Sequence, residues 1–313
     1  GRVAAPAHGA AAAAAPPSAA EAPCAAATTS TVAQAVSEVA QRIYLSELSS
    51  SEVRADRRQV EGDGPLLAAL AAGNRVAVAE AVRRLVYSGT HIVRLRVSSG
   101  GAVLSDIGGP YILAPVGGSL RVGGRSVGRY LLSVQDDSGY VKLETRFIGL
   151  PMLMRAGARR IPLEGMIAPR FPVPAHGLLR YAGGSYQTVS IAARAFPAGP
   201  LTITVLVPVA GASSASCAAV RAAEMGRIAH TVWNRVDVIG VPITAYPPIV
   251  HGLTGALVYV RAGTRQLAGT TSPGPRRIPD SGRLAYRGVT YLVSSFAGRT
   301  GGHAVRVYEL VAP

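Results

Sequence analysis

Gly123-Gly124-Arg125-Ser126-Val127-Gly128-Arg129-Tyr130-Leu131-Leu132-Ser133-Val134-Gln135-Asp136-Asp137-Ser138-Gly139-Tyr140 is the stretch on which the reading of this chain turns. A Gly-Gly turn opens a strand-compatible run, and Asp-Asp-Ser-Gly closes it. Tyr140 then starts a helix-compatible segment reaching Phe147. A long strand that ends in polar groups beside a helix start suits one wall of a ligand cavity, and no catalytic motif competes with it.

Working outward, residues 1–22 are Ala, Pro, Gly and Ser without periodicity, which predicts a disordered leader. Residues 23–88 carry helical signals. Val32, Val36, Val39, Ile43 and Tyr44 share one face of a long helix expected to reach about Val60, and a second stretch runs from Leu66 to Leu85 with a break near Gly73-Asn74. At residue 92 the period changes to two: residues 92–97 and 102–105 read as a hairpin around Ser98-Ser99-Gly100-Gly101. Further strands are expected over 111–116, 125–135, 178–181, 186–192 and 201–207. Residues 150–174, broken repeatedly by proline, read as a long loop over one sheet face. Helix signals resume at Ser213-Ser214, and five strand-like runs fill residues 257–310.

The two halves repeat. Pro174-Ala175-His176-Gly177-Leu178-Leu179-Arg180-Tyr181-Ala182-Gly183-Gly184-Ser185-Tyr186 lies over Pro279-Asp280-Ser281-Gly282-Arg283-Leu284-Ala285-Tyr286-Arg287-Gly288-Val289-Thr290-Tyr291, matching Pro, Gly, Leu, Tyr, Gly and Tyr without a gap. Residues 95–104 pair with 258–267 in the same alignment, and Cys24-Ala25-Ala26 with Cys217-Ala218-Ala219. The expected organisation is a first domain over 89–210 and a smaller second domain over 211–313.

Residues 92–106 and the Gly124-to-Val134 strand resemble the double-Cache arrangement of PAS-like extracytoplasmic sensor domains of bacterial transmembrane receptors. The resemblance implies an α+β fold with two five-strand antiparallel sheets in tandem, a long N-terminal helix and an inter-domain helix. It also implies a small-molecule pocket in the first domain, a second domain that passes the signal on, and an extracytoplasmic location. The aromatic-Arg-Trp-Asp pattern of the amino-acid-binding members is not recognisable here.

Candidate ligand contacts follow. Arg94 and Arg96 lie on one strand face and present planar forks suited to a carboxylate or phosphate; a solvated outer face is the other reading. Arg129, Tyr130 and Ser133 belong to the quoted strand. Asp136, with Asp137, either pairs those arginines, binds a cation or shapes a turn. Tyr111, Tyr130 and Tyr140 offer apolar bodies with polar tips, as pocket or core residues do. Cys24 and Cys217 head equivalent helices, which in an oxidising compartment invites a disulfide; two separate small residues are the alternative.

Composition excludes other classes. The net charge of +15 comes from 32 basic and 17 acidic residues, but Lys142 is the one lysine and no basic run exceeds two. Arg, Ala, Gly and Pro enrichment reads as the codon bias of a GC-rich genome, and no basic stripe with stacking aromatics marks a nucleic-acid partner. His91, His176, His230, His251 and His303 lack metal-ligand spacing. No G-x-S-x-G or H-E-x-x-H occurs, so neither catalysis, metal nor cofactor is expected. No apolar run reaches the ~20 residues that cross a bilayer. Because the chain begins at Gly1, a membrane anchor is expected outside it, and a homodimer is a further expected partnership. The alternative to a sensor is a ligand-free structural or interaction module.

Overall fold

Helix α1 (Thr28–Glu47), entered from the short strand β1 (Pro23–Ala25), is apolar around more of its circumference than a surface helix needs. Ala33, Ala35, Val36, Val39, Ala40, Ile43 and Tyr44 are all buried. A face that wide meets two neighbours at once. The computed structural model describes residues 22–88, 90–109, 112–157, 159–161, 167, 169–197 and 199–313, with backbone alone for 112, 136–138 and 236–239. The expected leader falls almost entirely outside them.

The one long helix expected up to residue 60 is two. After α1, Ser50 caps α2 (Ser51–Glu61), its side chain accepting the Val53 N–H at 3.2 Å. Three consecutive serines offer the backbone local hydrogen bonds that compete with helix, and the axis breaks there. Next come α3 (Gly64–Ala71) and α4 (Arg75–Tyr87), capped by Asp63 and Asn74. They cover a sheet of β2 (Arg94–Ser99), β3 (Ala102–Gly108), β5 (Val116–Val122) and β6 (Arg125–Ser133), ordered β3-β2-β6-β5. Between β3 and β5 the chain leaves for β4 (Ile112–Leu113). The quoted stretch is β6, an inner strand, and its Gly123-Gly124 turn has φ values of +55° and +80°, in the left-handed region that favours glycine. Val60, Leu66, Val78, Val82 and Leu85 meet Leu95, Val97, Leu120 and Leu132 in a core belonging to this layer alone.

A second sheet follows. Strand β7 (Gln135–Asp136) and α5 (Asp137–Phe147) lead to β8 (Met152–Ala156), β9 (Arg159–Arg160), β10 (Gly177–Tyr181), β11 (Gly184–Phe196) and β12 (Gly199–Pro208). Five strands run β9-β8-β12-β11-β10, while β4 and β7 extend the sheet from the far end of β11. Then β13 (Ser213–Ser216) pairs with β1, and α6 (Cys217–Ile239) and α7 (Tyr246–Thr254) precede β14 (Leu257–Ala262), β15 (Arg265–Gly269), β16 (Gly282–Tyr286), β17 (Val289–Thr300) and β18 (His303–Val311). Their order, β15-β14-β18-β17-β16, repeats that of the second sheet. The fold is therefore α+β, with two five-strand antiparallel arrangements, a long N-terminal helix and a helix between them.

The repeat holds to the register. Gly177 opposes Thr188 and Tyr181 opposes Gly184; 105 residues on, Gly282 opposes Val293 and Tyr286 opposes Val289. Both hairpins turn on paired left-handed residues, Ala182-Gly183 (φ +48°, +80°) and Arg287-Gly288 (φ +50°, +79°).

Two expectations are corrected. Residues 150–174 are not all loop, because β8 and β9 lie within them. The counterpart of hairpin β14–β15 is therefore β8–β9 and not residues 95–104, which sit in the four-strand layer. Arg155-Ala156-Gly157-Ala158-Arg159 and Arg261-Ala262-Gly263-Thr264-Arg265 carry that match. Residues 89–210, expected as one domain, are consequently distributed over two sheets.

Helices α1 and α6 lie against each other, α1 on β11 and β12, α6 on β17 and β18. One core runs through both sheets and includes Val36, Ile43, Met154, Ile203, Met225, Ile228, Val258 and Val307. Cys24 and Cys217 are disulfide-bonded across the β1–β13 ribbon, fastening the starts of the two helices.

Candidate functional site

The four-strand layer meets the second sheet at a joint built from β2, β4, β7 and the end of β11. Phe196 pairs with Ile112, and Ile112 with Asp136, so β4 is held between two strand ends. Arg94 and Arg96 project here from one face of β2, as their spacing required. Both bond one carboxylate: Arg94 Nε reaches Asp106 Oδ1 at 2.8 Å, and Arg96 Nη2 reaches Oδ2 at 2.7 Å. Arg94 Nη1 also donates to the Gly109 carbonyl at 2.7 Å. Both guanidiniums stack on the Phe196 ring, 4.7 and 4.4 Å from its centroid. Burial pushes the Asp106 carboxyl up, but the hydrogen bonds and charges of Arg94 and Arg96 outweigh it, leaving it below the ordinary Asp value.

Other sequence-derived residues are partly gathered here. Ser133 is buried, donates to the Leu113 carbonyl and accepts the Gln135 N–H at 3.2 Å, tying β4 to the end of β6. Asp136 contributes its backbone to β7, and Tyr111 lies outside the described residues. Tyr140, one helical turn into α5, is buried and donates to Glu144 Oε1 at 2.7 Å. Two residues are elsewhere. Tyr130 is buried against α2, donating to Glu61 Oε1 at 2.5 Å and accepting from Arg57 Nε at 3.1 Å. Burial, then the Glu61 contact, push its phenol up to about 12. Arg129 is exposed on the opposite face of β6.

Beside the joint opens a cavity of about 240 Å³ lined by Glu47, Ser50, Glu52, His91, Val134, Gln135 and Leu143. The end of α1, the cap of α2, the segment before β2 and one face of α5 thus share a space. Its character is acidic. Burial and then the charge of Glu52 hold the Glu47 carboxyl above its ordinary value. Glu52 itself is lowered by hydrogen bonds from its own backbone and from Ser51. Behind His91 and Glu52 lies Asp56, 3% exposed, with Oδ2 lacking any partner. Burial raises Asp56 against the opposing pull of His91. Neither Glu47 nor Asp56 is ion-paired among the described residues. Among those residues no His, Cys, Asp and Glu group is arranged to hold a metal ion. Separated carboxylates around one space fit instead an organic cation, whose ammonium hydrogens reach several acceptors.

Sequence reasoning missed Glu47, Glu52, His91 and Asp56. A usable signal was present: acids are scarce in this chain, yet Glu52 and Asp56 fall four apart on one helix face.

No family model matches this chain, and no curated protein does. Two solved structures share a loose likeness. The periplasmic domain of Vibrio cholerae LuxQ is 10% identical, covering 92% of this chain and 100% of its own, with a TM-score of 0.16. The ligand-binding domain of Mlp24 with asparagine is 7% identical, covering 90% of this chain and 95% of its own, with a TM-score of 0.18. TM-scores of this size establish no common fold, so the class is defined by the chain's own elements. It is a pair of helix-separated five-strand sheets carrying an additional helix-covered four-strand layer.

Proposed function

We propose that this chain is the extracytoplasmic sensing region of a membrane signalling receptor, and that its ligand is a small molecule with a cationic group received in the cavity beside the joint. The observation that carries this reading is the pair of carboxylates, Glu47 and Glu52, lining a 240 Å³ space, with the buried Asp56 behind them, in a chain of net charge +15. The arginine pair that pointed to an anion is engaged by Asp106 and Phe196, which leaves it a clamp between sheets.

The cavity lies at the end of α1, and α1 packs on the second sheet, on α6 and on α7. A ligand that draws Glu47, Glu52 and α5 together changes the free energy of α1's position, and α1 carries the change to the β14–β18 sheet. Such a ligand shifts the equilibrium by no more than its difference in affinity for the two positions. The Cys24–Cys217 bond supports an oxidising compartment, as outside the cytoplasm.

The test is thermal unfolding with methylamine, ethanolamine and putrescine against sodium chloride at equal ionic strength. At least one amine is expected to raise the Tm of the wild type and to lose that effect in Glu47→Gln/Glu52→Gln. Equal responses in wild type and variant, or no response above chloride, reject the reading. A ligand-free structural module is the second reading, favoured by one observation: Leu153, Leu179 and Leu206, and likewise Tyr259, Val293 and Leu310, fill the sheet faces turned away from the helices.

A further inference from the structure

On β14, Val258 and Val260 face the helices, while Tyr259 and Arg261 face the other way. Arg261 is only 7% exposed, yet no carboxylate pairs with it among the described residues. Its Nη1 donates to the Arg276 carbonyl at 3.0 Å and its Nη2 to the Pro275 carbonyl, while buried Nε has no partner. A buried guanidinium without a counter-ion is costly, and carbonyl dipoles compensate it only in part.

The arrangement occurs twice. Arg155 holds the equivalent place on β8, before the same Ala-Gly turn; its Nη2 donates to the Val173 carbonyl at 3.0 Å, and its buried Nε is likewise unpartnered. In both sheets the carbonyl belongs to the segment that links the second strand of the unit to the third. Arg155 is half-buried where Arg261 is buried, but a filler residue would not be expected to keep an arginine with a buried, unpartnered Nε under the same crossing in two copies.

We propose that Arg261 is a receptor for a small carboxylate, and that residues 270–281 cover it when no carboxylate is bound. Two carbonyl oxygens from adjacent residues sit on the two terminal nitrogens, as the two oxygens of a carboxylate do in a bidentate pair. The covering segment is held at its ends by polar contacts that exchange readily, and between them by the Tyr286 hydroxyl on the Pro273 carbonyl at 3.2 Å and by Ile278 packed on the sheet. Tyr259 bonds Thr271 at 2.6 Å, and Arg306 bonds Asp280 at 2.7 Å. Arg276 and Arg277 are exposed at its crest. From residue 257 onward the chain has eight arginines and two acids, and one of those, Glu309, is buried against α6 at Gly226. An approaching anion therefore meets a positive face before it reaches the buried guanidinium.

The proposal does not depend on the cavity at the joint, and its test uses different probes. Thermal unfolding and amide hydrogen exchange of the intact chain are measured with acetate, succinate, malate and benzoate, with sodium chloride at equal ionic strength. At least one carboxylate is expected to raise Tm and to speed exchange within 270–281 as the segment leaves Arg261. Arg261→Lys, which keeps the charge but loses the planar fork, is expected to weaken that carboxylate at least tenfold. Should Arg261→Lys not fold, exchange in the wild type decides alone. No carboxylate acting above chloride, unchanged exchange in 270–281, or equal affinity in a folded Arg261→Lys overturns the proposal.

Discussion

Glu144 is fully enclosed, with Oε1 bonded by Tyr140 and Oε2 without a partner. Burial lifts its carboxyl to about 8, although the Tyr140 hydrogen bond pulls the other way. The folded value lies above the unfolded one, so between about pH 4.3 and 8 the unfolded chain has released a proton that the native state retains. Stability falls across that window as pH rises, and no further loss from this group follows above it. Glu144→Gln removes the effect. The variant is expected to be more stable than wild type by on the order of 3 kcal/mol at pH 7, and nearly equal to it at pH 4.5, in urea titrations at both values. At this same scale, Arg94 and Arg96 were legible as a pair on one strand face, but Asp106 was not legible as their counter-ion. Cross-strand register decides that pairing: Arg96 lies opposite Asp106, and one residue of slip would place the carboxylate on the other face.

Strands differ in how openly their sequences declare them. Hairpin β2–β3 alternates because one face is covered by helices, and the period of two showed it. Strand β8 does not alternate: Met152, Leu153 and Met154 are all buried, one face on the helical core and the other under the crossing segment. A strand covered on both faces reads as a short apolar run, and the prolines around it made that run look like loop. A close approach of helix to sheet was equally silent in sequence. A Cβ built on Gly298 of β17 would lie 2.8 Å from the Trp233 ring of α6, so the indole rests directly on the strand backbone. Gly298→Ala is expected to cost roughly 1–3 kcal/mol, read as a lower urea midpoint at unchanged m-value. A midpoint within error of wild type would mean that Trp233 has another place to go.

For the molecule as a whole, duplication was visible because one hairpin kept its turn and spacing, while the extra four-strand layer was hidden by a chance match of residues 95–104 to 258–267. The acidic cavity was out of reach for a different reason. Its walls come from residues 47 to 143, brought together by a helix break at Ser49-Ser50 that apolar periodicity does not register. The disulfide was foreseeable from the repeat, since equivalent positions in two copies are natural neighbours about a shared axis. It closes 193 residues of chain, for which the chain-entropy account gives about 5 kcal/mol. Cys24→Ser/Cys217→Ser is expected to lose 2–5 kcal/mol in urea unfolding, roughly, while keeping the native circular dichroism spectrum. A loss well under 1 kcal/mol would show that the ribbon and helix contacts hold the two starts together unaided.

That covalent tie has a mechanical consequence. A pull on the backbone ahead of Cys24 divides at the sulfur bridge, one share running into α1 and the other crossing to Cys217 and α6. Traction from that end therefore arrives at both five-strand units together, and neither can be peeled away first by unravelling its own helix.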